Sequence, residues 1–179
     1  MNSKMSAVAR AIVFGMLLLT LLPRTTTAEP TFHPTQRVKV IKVNNGQEVL
    51  VELEGQGRAV RLACVQAPLT QQQPWAKQAK DSLYRSLPQG TVVVMELRGR
   101  DVYGRIVARL INDGSDVAEP LVADGSIFAY DGYVGRCDDL PYRSLERQAK
   151  DRKSGLWAVQ GGVERPWDVI ETYQIQGEP

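Results

Sequence analysis

The sequence has few of the residues that build Cys/His metal sites or dense disulfide scaffolds: one histidine and two cysteines in 179 residues. The cysteines lie far apart and His33 stands alone, so a zinc site of the Cys/His type is not supported. Neither a Ser/His/Asp set nor a glycine-rich phosphate loop can be identified. Apolar residues at 43% and charged residues at 23% are ordinary for a globular fold, which excludes disorder and collagen-like repeats. The length predicts one domain.

The first 28 residues contain no acidic residue. Lys4 and Arg10 provide positive charge, residues 11–22 form an apolar run and residues 26–28 are small. This layout is typical of a secretory signal peptide that is cleaved after Ala28, which predicts export to the periplasm or the medium. The alternative is an uncleaved signal that anchors the protein in the membrane, although a run of about 12 residues is short for a bilayer span.

The weak basicity of the chain belongs to this leader. The whole chain has 22 basic and 20 acidic residues, and three of the basic residues lie in 1–28. Residues 29–179 therefore carry 19 basic and 20 acidic residues, a net charge of −1. Because a protein-wide attraction to nucleic acid is not supported, any basic site must be local. One local cluster could follow a nucleic-acid backbone or form a solvated charged face: Arg98, Arg100, Arg105 and Arg109.

Hydrophobic periodicity predicts short strands first and helices later. Period-two alternation predicts strands at 37–43, 48–53, 58–65, 91–97 and 105–111. Helical spacing, capping and charge signals predict helices at 74–87, 117–124 and 141–153. This order predicts a mainly β protein with α elements (α+β), a five-stranded OB-fold barrel with three helices. We assign a lead-in to 29–37, the domain to 38–158 and a C-terminal extension without clear periodicity to 159–179.

The two cysteines allow a single intramolecular disulfide. Export would permit a bond between Cys64 and Cys137. The alternative is two separate thiols, with Cys64 as a small core residue on an apolar strand.

Four segments, in this order, resemble the staphylococcal nuclease (thermonuclease) family. They are 40–49 (VIKVNNGQEV), 61–68 (RLACVQAP), 101–105 (DVYGR) and the helix at 145–157 that ends in GLW. The resemblance covers about 38–157, and its RLACVQAP segment, loop cysteine and C-terminal RPW are most similar to an exported branch seen in cyanobacteria. The family implies a calcium-dependent phosphodiesterase on DNA and RNA, with two metal-binding aspartates, a glutamate that activates water, and two arginines on the phosphate.

Both arginines are present in the matched motifs. Arg61 stands at the position of the family's first arginine and Arg105 at that of the second, and a planar guanidinium suits bidentate contacts to phosphate. Arg61 could instead be an exposed strand cation, and Arg105 could form an ion pair with Asp101. Tyr103 could stack on a base or serve as a core or turn residue.

The carboxylates that the resemblance implies are replaced. The two aspartate positions are Gln47 and Gln66, and the glutamate position is Leu69. Calcium prefers several carboxylate oxygens, and a general base alone contributes ~10²–10⁴-fold to a rate. Glu48 is the only acid adjacent to the motif, and on an extended strand it points away from the face of Gln47.

We therefore expect an exported family member whose calcium-dependent site is degenerate and which has no assigned cofactor. Its arginine pair is expected to bind single-stranded DNA or RNA, or another phosphate-containing ligand. One alternative is an active or slow nuclease with a non-standard metal site and a base outside the matched motifs. A second alternative is a protein-interaction module in which the arginines are vestigial.

Overall fold

The structure is a computed structural model that describes residues 34–132 and 137–177, with side chains as far as residue 174. The expected signal peptide at 1–28 lies outside these residues. Within the described ranges, no helix is long and apolar enough to cross a membrane.

The described elements follow one another in an order close to that expected from the sequence. They are β1 (Thr35–Asn45), β2 (Glu48–Leu53), β3 (Gln56–Leu62), β4 (Val65–Gln66), α1 (Trp75–Ser86), β5 (Val92–Arg100), β6 (Ile106–Asn112), β7 (Ser115–Asp116), α2 (Ala118–Ala123), β8 (Phe128–Ala129), α3 (Tyr142–Asp151), a 3-10 turn (Gly155–Trp157) and α4 (Pro166–Gly177). β1 begins inside the segment that the sequence assigned to the lead-in.

Five strands close into a barrel. The sheet order is β3-β2-β1-β5-β6-β7 with antiparallel neighbours, and a parallel pairing of β3 with β6 completes the ring. Closure removes the unpaired strand edges that an open sheet would leave. The two-residue strands β4 and β8 form a separate antiparallel ladder beside the barrel. The predicted α+β fold, a five-stranded OB-like barrel with helices, is confirmed.

The barrel interior is filled by the alternating valines of the first strands. Fully buried members include Val40, Val49, Val51 and Val60. Because successive strand residues point to opposite sides, these positions give each strand one apolar face. Helix α1 packs its Ala79 and Leu83 into the same core.

The turn between β1 and β2 lies directly against α1. A β-carbon on Gly46 would lie 2.6 Å from Cβ of Ala79 and 2.9 Å from Cβ of Ala67. Only glycine fits this close approach. The contact fixes the position of the next residue, Gln47, relative to the segment that follows β4.

The structure corrects two expectations for the elements. The predicted strand at 58–65 is interrupted, because the backbone turns at Cys64, whose φ is +61°, between β3 and β4. Residues 166–177 form a fourth helix, whereas the sequence predicted three. In helix α4, Trp167 stacks on Tyr130 with ring centroids 4.6 Å apart and contacts Phe128 edge-on, while Pro166 is buried. Residues 170–174 are exposed, so the sequence has no sustained apolar periodicity there.

Candidate functional site

Three turns of the barrel carry the residues of the matched motifs. Gln47 lies in the β1–β2 turn, where its backbone N–H donates to Oδ1 of Asn45 at 3.0 Å. Arg61 and Gln66 flank the β3–β4 turn, and Arg105 ends the loop between β5 and β6. Sequence reasoning selected these segments from a resemblance, and the structure connects the first two through direct hydrogen bonds.

The two glutamines for which the resemblance implies aspartates are buried and already hydrogen-bonded. Oε1 of Gln47 accepts a hydrogen bond from the backbone N–H of Ala67 at 2.5 Å. Oε1 of Gln66 accepts one from Nη2 of Arg61 at 2.9 Å, and Nε2 of Gln66 donates to the carbonyl of Ala67 at 3.3 Å. Both amide oxygens therefore act as acceptors for protein donors.

This donor set does not fit calcium. Calcium takes six to eight hard oxygen ligands, normally including carboxylates. The glutamine oxygens are neutral, and the residues at 34–132 and 137–177 contain no group of three or more His, Cys, Asp or Glu side chains arranged to hold a metal. These side chains therefore offer no calcium-dependent catalytic step.

Leu69 lies in a loop that is tied to the C-terminal segment. Its backbone N–H donates to Oε1 of Gln72 at 2.8 Å, and Nε2 of Gln72 donates to the carbonyl of Glu164 at 2.7 Å. The leucine side chain can neither accept a proton nor orient a water molecule. Sequence reasoning missed Gln72, because a contact across 92 residues leaves no local pattern.

Arg105 is held in place by Asp101 of its own loop. Its Nε donates to Oδ2 of Asp101 at 2.7 Å, and Oδ1 of Asp101 accepts the backbone N–H groups of Tyr103 and Arg105, each at 3.0 Å. Burial opposes ionisation of Asp101, but these hydrogen bonds outweigh it and lower the pKa of Asp101 below its ordinary value. The ion pair considered as an alternative for Arg105 is thus present, and 35% of the arginine side chain stays exposed.

Tyr103 is at the exposed tip of the same loop. The residue is 81% exposed, and its ring centroid lies 5.2 Å from Cζ of Arg105. This excludes the core position that the sequence left open for Tyr103. An exposed ring beside an exposed guanidinium is a combination that single-stranded nucleic-acid sites use.

Arg61 and Glu48 face each other across β2 and β3. Their Cα atoms are register partners, and opposite residues of antiparallel strands project from the same side. Arg61 is only 7% exposed, so it is not the exposed strand cation considered as an alternative.

The carboxylate of Glu48 lies close to the second arginine. Oε2 of Glu48 is 3.6 Å from Nη1 of Arg105. Glu48, which the sequence predicted to point away from the face of Gln47, therefore lies on the arginine side of the site. Strand alternation gives only the direction of the side chain of residue 48 relative to that of residue 47. It could not show that Arg105 approaches from a distant loop.

Acids pair with most of the arginine cluster on β5, β6 and the loop between them. Its members are Arg98, Arg100, Arg105 and Arg109. Arg98 makes a bidentate contact to Asp139 at 2.5 and 2.8 Å, and its side chain is almost fully buried. Arg109 donates to Asp116 at 2.8 Å. Arg98 and Arg109 are thus neutralised by neighbouring acids, whereas the exposed Arg100 donates to the backbone carbonyl of Gly104 at 2.8 Å.

A disulfide lies next to the glutamine–arginine cluster. Cys64 and Cys137 are bonded with their Cα atoms 5.8 Å apart. Cys64 occupies the turn between Arg61 and Gln66, so the bond ties that turn to the segment preceding α3.

Comparison with known proteins places these features in a family. Residues 59–159 match the family model described as staphylococcal nuclease homologue. An uncharacterised protein of Bacillus anthracis is 29% identical over 139 residues, which are 73% of this chain and 64% of that protein. A protein of Escherichia coli named "Uncharacterized endonuclease" is 28% identical over 130 residues, 72% of this chain and 81% of that protein.

A third relative comes from the fungus Schizophyllum commune and is named as a probable endonuclease. It is 30% identical over 140 residues, 68% of this chain and 48% of that protein. This chain therefore spans less than two thirds of the Bacillus and fungal relatives. The similarity to a cyanobacterial branch stays a prediction. The family model covers more than half of the chain, from β3 to the residues after the 3-10 turn, and the chain belongs to the staphylococcal nuclease homologue family.

Proposed function

We propose that the protein is an exported member of this family that binds single-stranded DNA, RNA or another phosphate-containing ligand through Arg105 and Arg61, without the family's ordinary calcium-dependent phosphodiesterase activity. The observation that supports this proposal most directly concerns Gln47 and Gln66, at the two aspartate positions. Their side-chain oxygens accept hydrogen bonds from Ala67 and Arg61, respectively.

Phosphodiester hydrolysis makes demands that these side chains do not meet. The reaction needs an activated water and stabilisation of the charge that develops on the phosphate. Leu69 stands where a glutamate would activate water, and loss of a general base typically costs ~10²–10⁴-fold in rate. Loss of a Lewis-acid metal costs several kcal/mol more. Together these losses support a binding protein rather than an ordinary calcium enzyme.

Anion binding is supported by the anchoring and the exposure of the two arginine side chains. Arg105 is anchored at Nε by Asp101, and about a third of its side chain is exposed beside the exposed ring of Tyr103. Arg61 is buried and contributes its charge from inside the site. We therefore assign the first contact with phosphate to Arg105, and stacking on a neighbouring base to Tyr103.

Export remains part of the proposal. The leader-like residues 1–28 motivate it, and the Cys64–Cys137 disulfide supports it because such bonds persist mainly in oxidising compartments.

An active endonuclease is the second candidate. Two relatives at 28–30% identity carry that word in their names. In this case a base from outside the glutamate position, such as Glu48 beside Arg105, would have to activate water. The two candidates differ in whether labelled nucleic acid is cut or only bound.

The test uses the full chain and labelled single-stranded DNA and RNA, with calcium, magnesium, manganese or a chelator. We expect no metal-stimulated cleavage and salt-sensitive binding that weakens in Arg105→Ala. Arg58→Ala is the control, because Arg58 is an exposed arginine near the far end of β3. Metal-stimulated cleavage that disappears in Arg105→Ala would establish the nuclease instead. Neither cleavage nor binding would favour the protein-interaction module.

A further inference from the structure

One carboxylate lies at the arginine pair itself. Glu48 is the cross-strand partner of Arg61, and its Oε2 is 3.6 Å from Nη1 of Arg105. Its other oxygen accepts a hydrogen bond from Nδ2 of Asn44 at 2.9 Å. The side chain is 18% exposed, so this negative charge lies near the surface beside Arg105.

Two acids contact Arg105, and they hold it in different ways. Asp101 makes a 2.7 Å hydrogen bond to Nε, within the range of strong charge-assisted bonds. Glu48 approaches Nη1 only to 3.6 Å, which is an ion pair beyond hydrogen-bonding distance. Asp101 is therefore the anchor that fixes the guanidinium. Glu48 is the weaker partner, and its place can be taken by a phosphate that hydrogen-bonds directly.

We propose that Glu48 is a resident anion that competes with the ligand's phosphate for Arg105 and thereby sets the affinity of the site. This inference rests on the proposed function, because it takes Arg105 as the phosphate contact.

The charges explain why such a competitor matters. Arg61 and Arg105 supply two positive charges, and Asp101 and Glu48 supply two negative ones, so the four groups are close to neutral together. A phosphodiester with one negative charge gains little net attraction from these four groups, and the exposed Arg100, which donates to the carbonyl of Gly104, is the further cation of this loop. A terminal phosphate carries about −1.5 to −2 and displaces a carboxylate more readily. The wild-type site is therefore expected to favour a 5′-phosphorylated end over an internal diester, and neutralising Glu48 is expected to reduce that preference.

The experiment measures binding of a fluorescent single-stranded oligonucleotide, with and without a 5′-phosphate, to the full-length protein at low salt. In Glu48→Gln we expect roughly tenfold tighter binding, the lower end of what one charge 4–6 Å away contributes to an ionic equilibrium. Glu52→Gln is the matched control, because Glu52 is an exposed acid four residues further along β2. Its affinity should equal that of the wild type. Adding Arg105→Ala to Glu48→Gln should abolish the gain.

A second measurement uses the wild-type protein alone, and so does not depend on how the variant folds. Inorganic phosphate is titrated into protein labelled with ¹³C, and the carboxyl resonances of glutamates are followed. The carboxyl carbon of Glu48 should shift as phosphate takes its place at Arg105, while that of Glu52 should stay constant.

The outcomes separate this inference from the proposed function. Binding that depends on Arg105 but is unchanged or weaker in Glu48→Gln overturns the competitor role alone. A stationary Glu48 resonance at saturating phosphate does the same. Cleavage by the wild type that is lost in Glu48→Gln makes Glu48 a catalytic base and overturns both. Absence of binding in the wild type and in Glu48→Gln overturns the proposed function, and the inference falls with it.

Discussion

The side-chain oxygen of Gln47 accepts a hydrogen bond from the backbone N–H of Ala67 at 2.5 Å, across 20 residues of chain. Gln47 thus joins the β1–β2 turn to the segment after β4, where Gly46 already packs against Ala67 without room for a side chain. Gln47 is therefore part of how the turns fit together. A return to the family's carboxylates must therefore be judged by stability as well as by activity.

Introducing the three carboxylates should produce some calcium-dependent nuclease activity. In the triple variant Gln47→Asp, Gln66→Asp and Leu69→Glu, we expect calcium-dependent cleavage of DNA well above any by the unmodified chain. The aspartate at 47 is one methylene shorter and reaches Ala67 less well, so each glutamine replacement should cost about 1 kcal/mol of stability without calcium. Cleavage is measured with calcium or with a chelator, and thermal unfolding is measured under the same conditions.

The double variant Gln47→Asp and Gln66→Asp is the control for the restored base. It should gain calcium-dependent thermal stability with little cleavage. If the triple variant neither binds calcium nor cleaves DNA, then the geometry of the site has changed together with its side chains.

The barrel was predictable because each of its strands has its own local signal. The valines of β1 and β2 alternate with charged residues, and the burial of Val40, Val49 and Val51 follows that alternation. The interruption at Cys64 was not predictable, because it depends on one residue with a positive φ inside an otherwise apolar run. Its partner Cys137 lies 73 residues away, and the sequence left that pairing open.

The site was predictable only in part, for a related reason. Resemblance located Arg61 and Arg105 in two separate motifs. The position of Glu48 between them depends on the β2–β3 register and on the approach of the β5–β6 loop, and both are tertiary features. Helix α4 escaped prediction because its covered residues lie only within 166–169 rather than repeating along an apolar face.

Removal of the Cys64–Cys137 disulfide should destabilise the domain. A cross-link over 73 residues restricts the unfolded chain by about 4 kcal/mol in the chain-entropy model. We expect Cys64→Ala with Cys137→Ala to lower Tm by roughly 10 °C for a chain of this size. The measurement is thermal unfolding with and without a phosphine reductant. The reductant should lower Tm of the wild type and leave the double variant unchanged; an equal response of both proteins would contradict a structural role for the bond.

The hydroxyl of Tyr142 connects helix α3 to the barrel. Oη donates to Oδ2 of Asp116 at 2.6 Å, and the same carboxylate oxygen accepts Nε of Arg109 at 2.8 Å. Tyr142→Phe removes one hydrogen bond to a buried charge, which should cost about 1–3 kcal/mol in the free energy of unfolding. Urea denaturation measures this loss. Tyr84→Phe, on an exposed face of α1, should cost close to nothing.

The raised pKa of Tyr142 leads to a prediction for the stability of the fold at alkaline pH. Burial, followed by the negative charge of Asp116 and the hydrogen bond to it, raises the pKa of Tyr142 above its ordinary value. Above pH about 10 the unfolded chain loses this proton while the folded chain retains it, so stability falls as pH rises. Urea denaturation from pH 8 to pH 11 should show a shallower alkaline decline in Tyr142→Phe than in the wild type. Parallel curves would show that Tyr142 does not hold its proton in the fold.

Helix α4 should detach when its aromatic anchor is removed. Trp167 stacks on Tyr130 and contacts Phe128, whereas Ile170 and Tyr173 of the same helix are exposed. In Trp167→Ala we expect faster hydrogen exchange over 166–177 and earlier proteolytic cleavage there, with exchange in the barrel strands unchanged. Tyr173→Ala should leave both measurements as in the wild type, because an exposed ring contributes little to docking. Equal protection of α4 in both variants would mean that contacts other than Trp167 hold it. Such a result would direct attention to the hydrogen bond from Gln72 to Glu164, which joins the segment before α4 to the loop of Leu69.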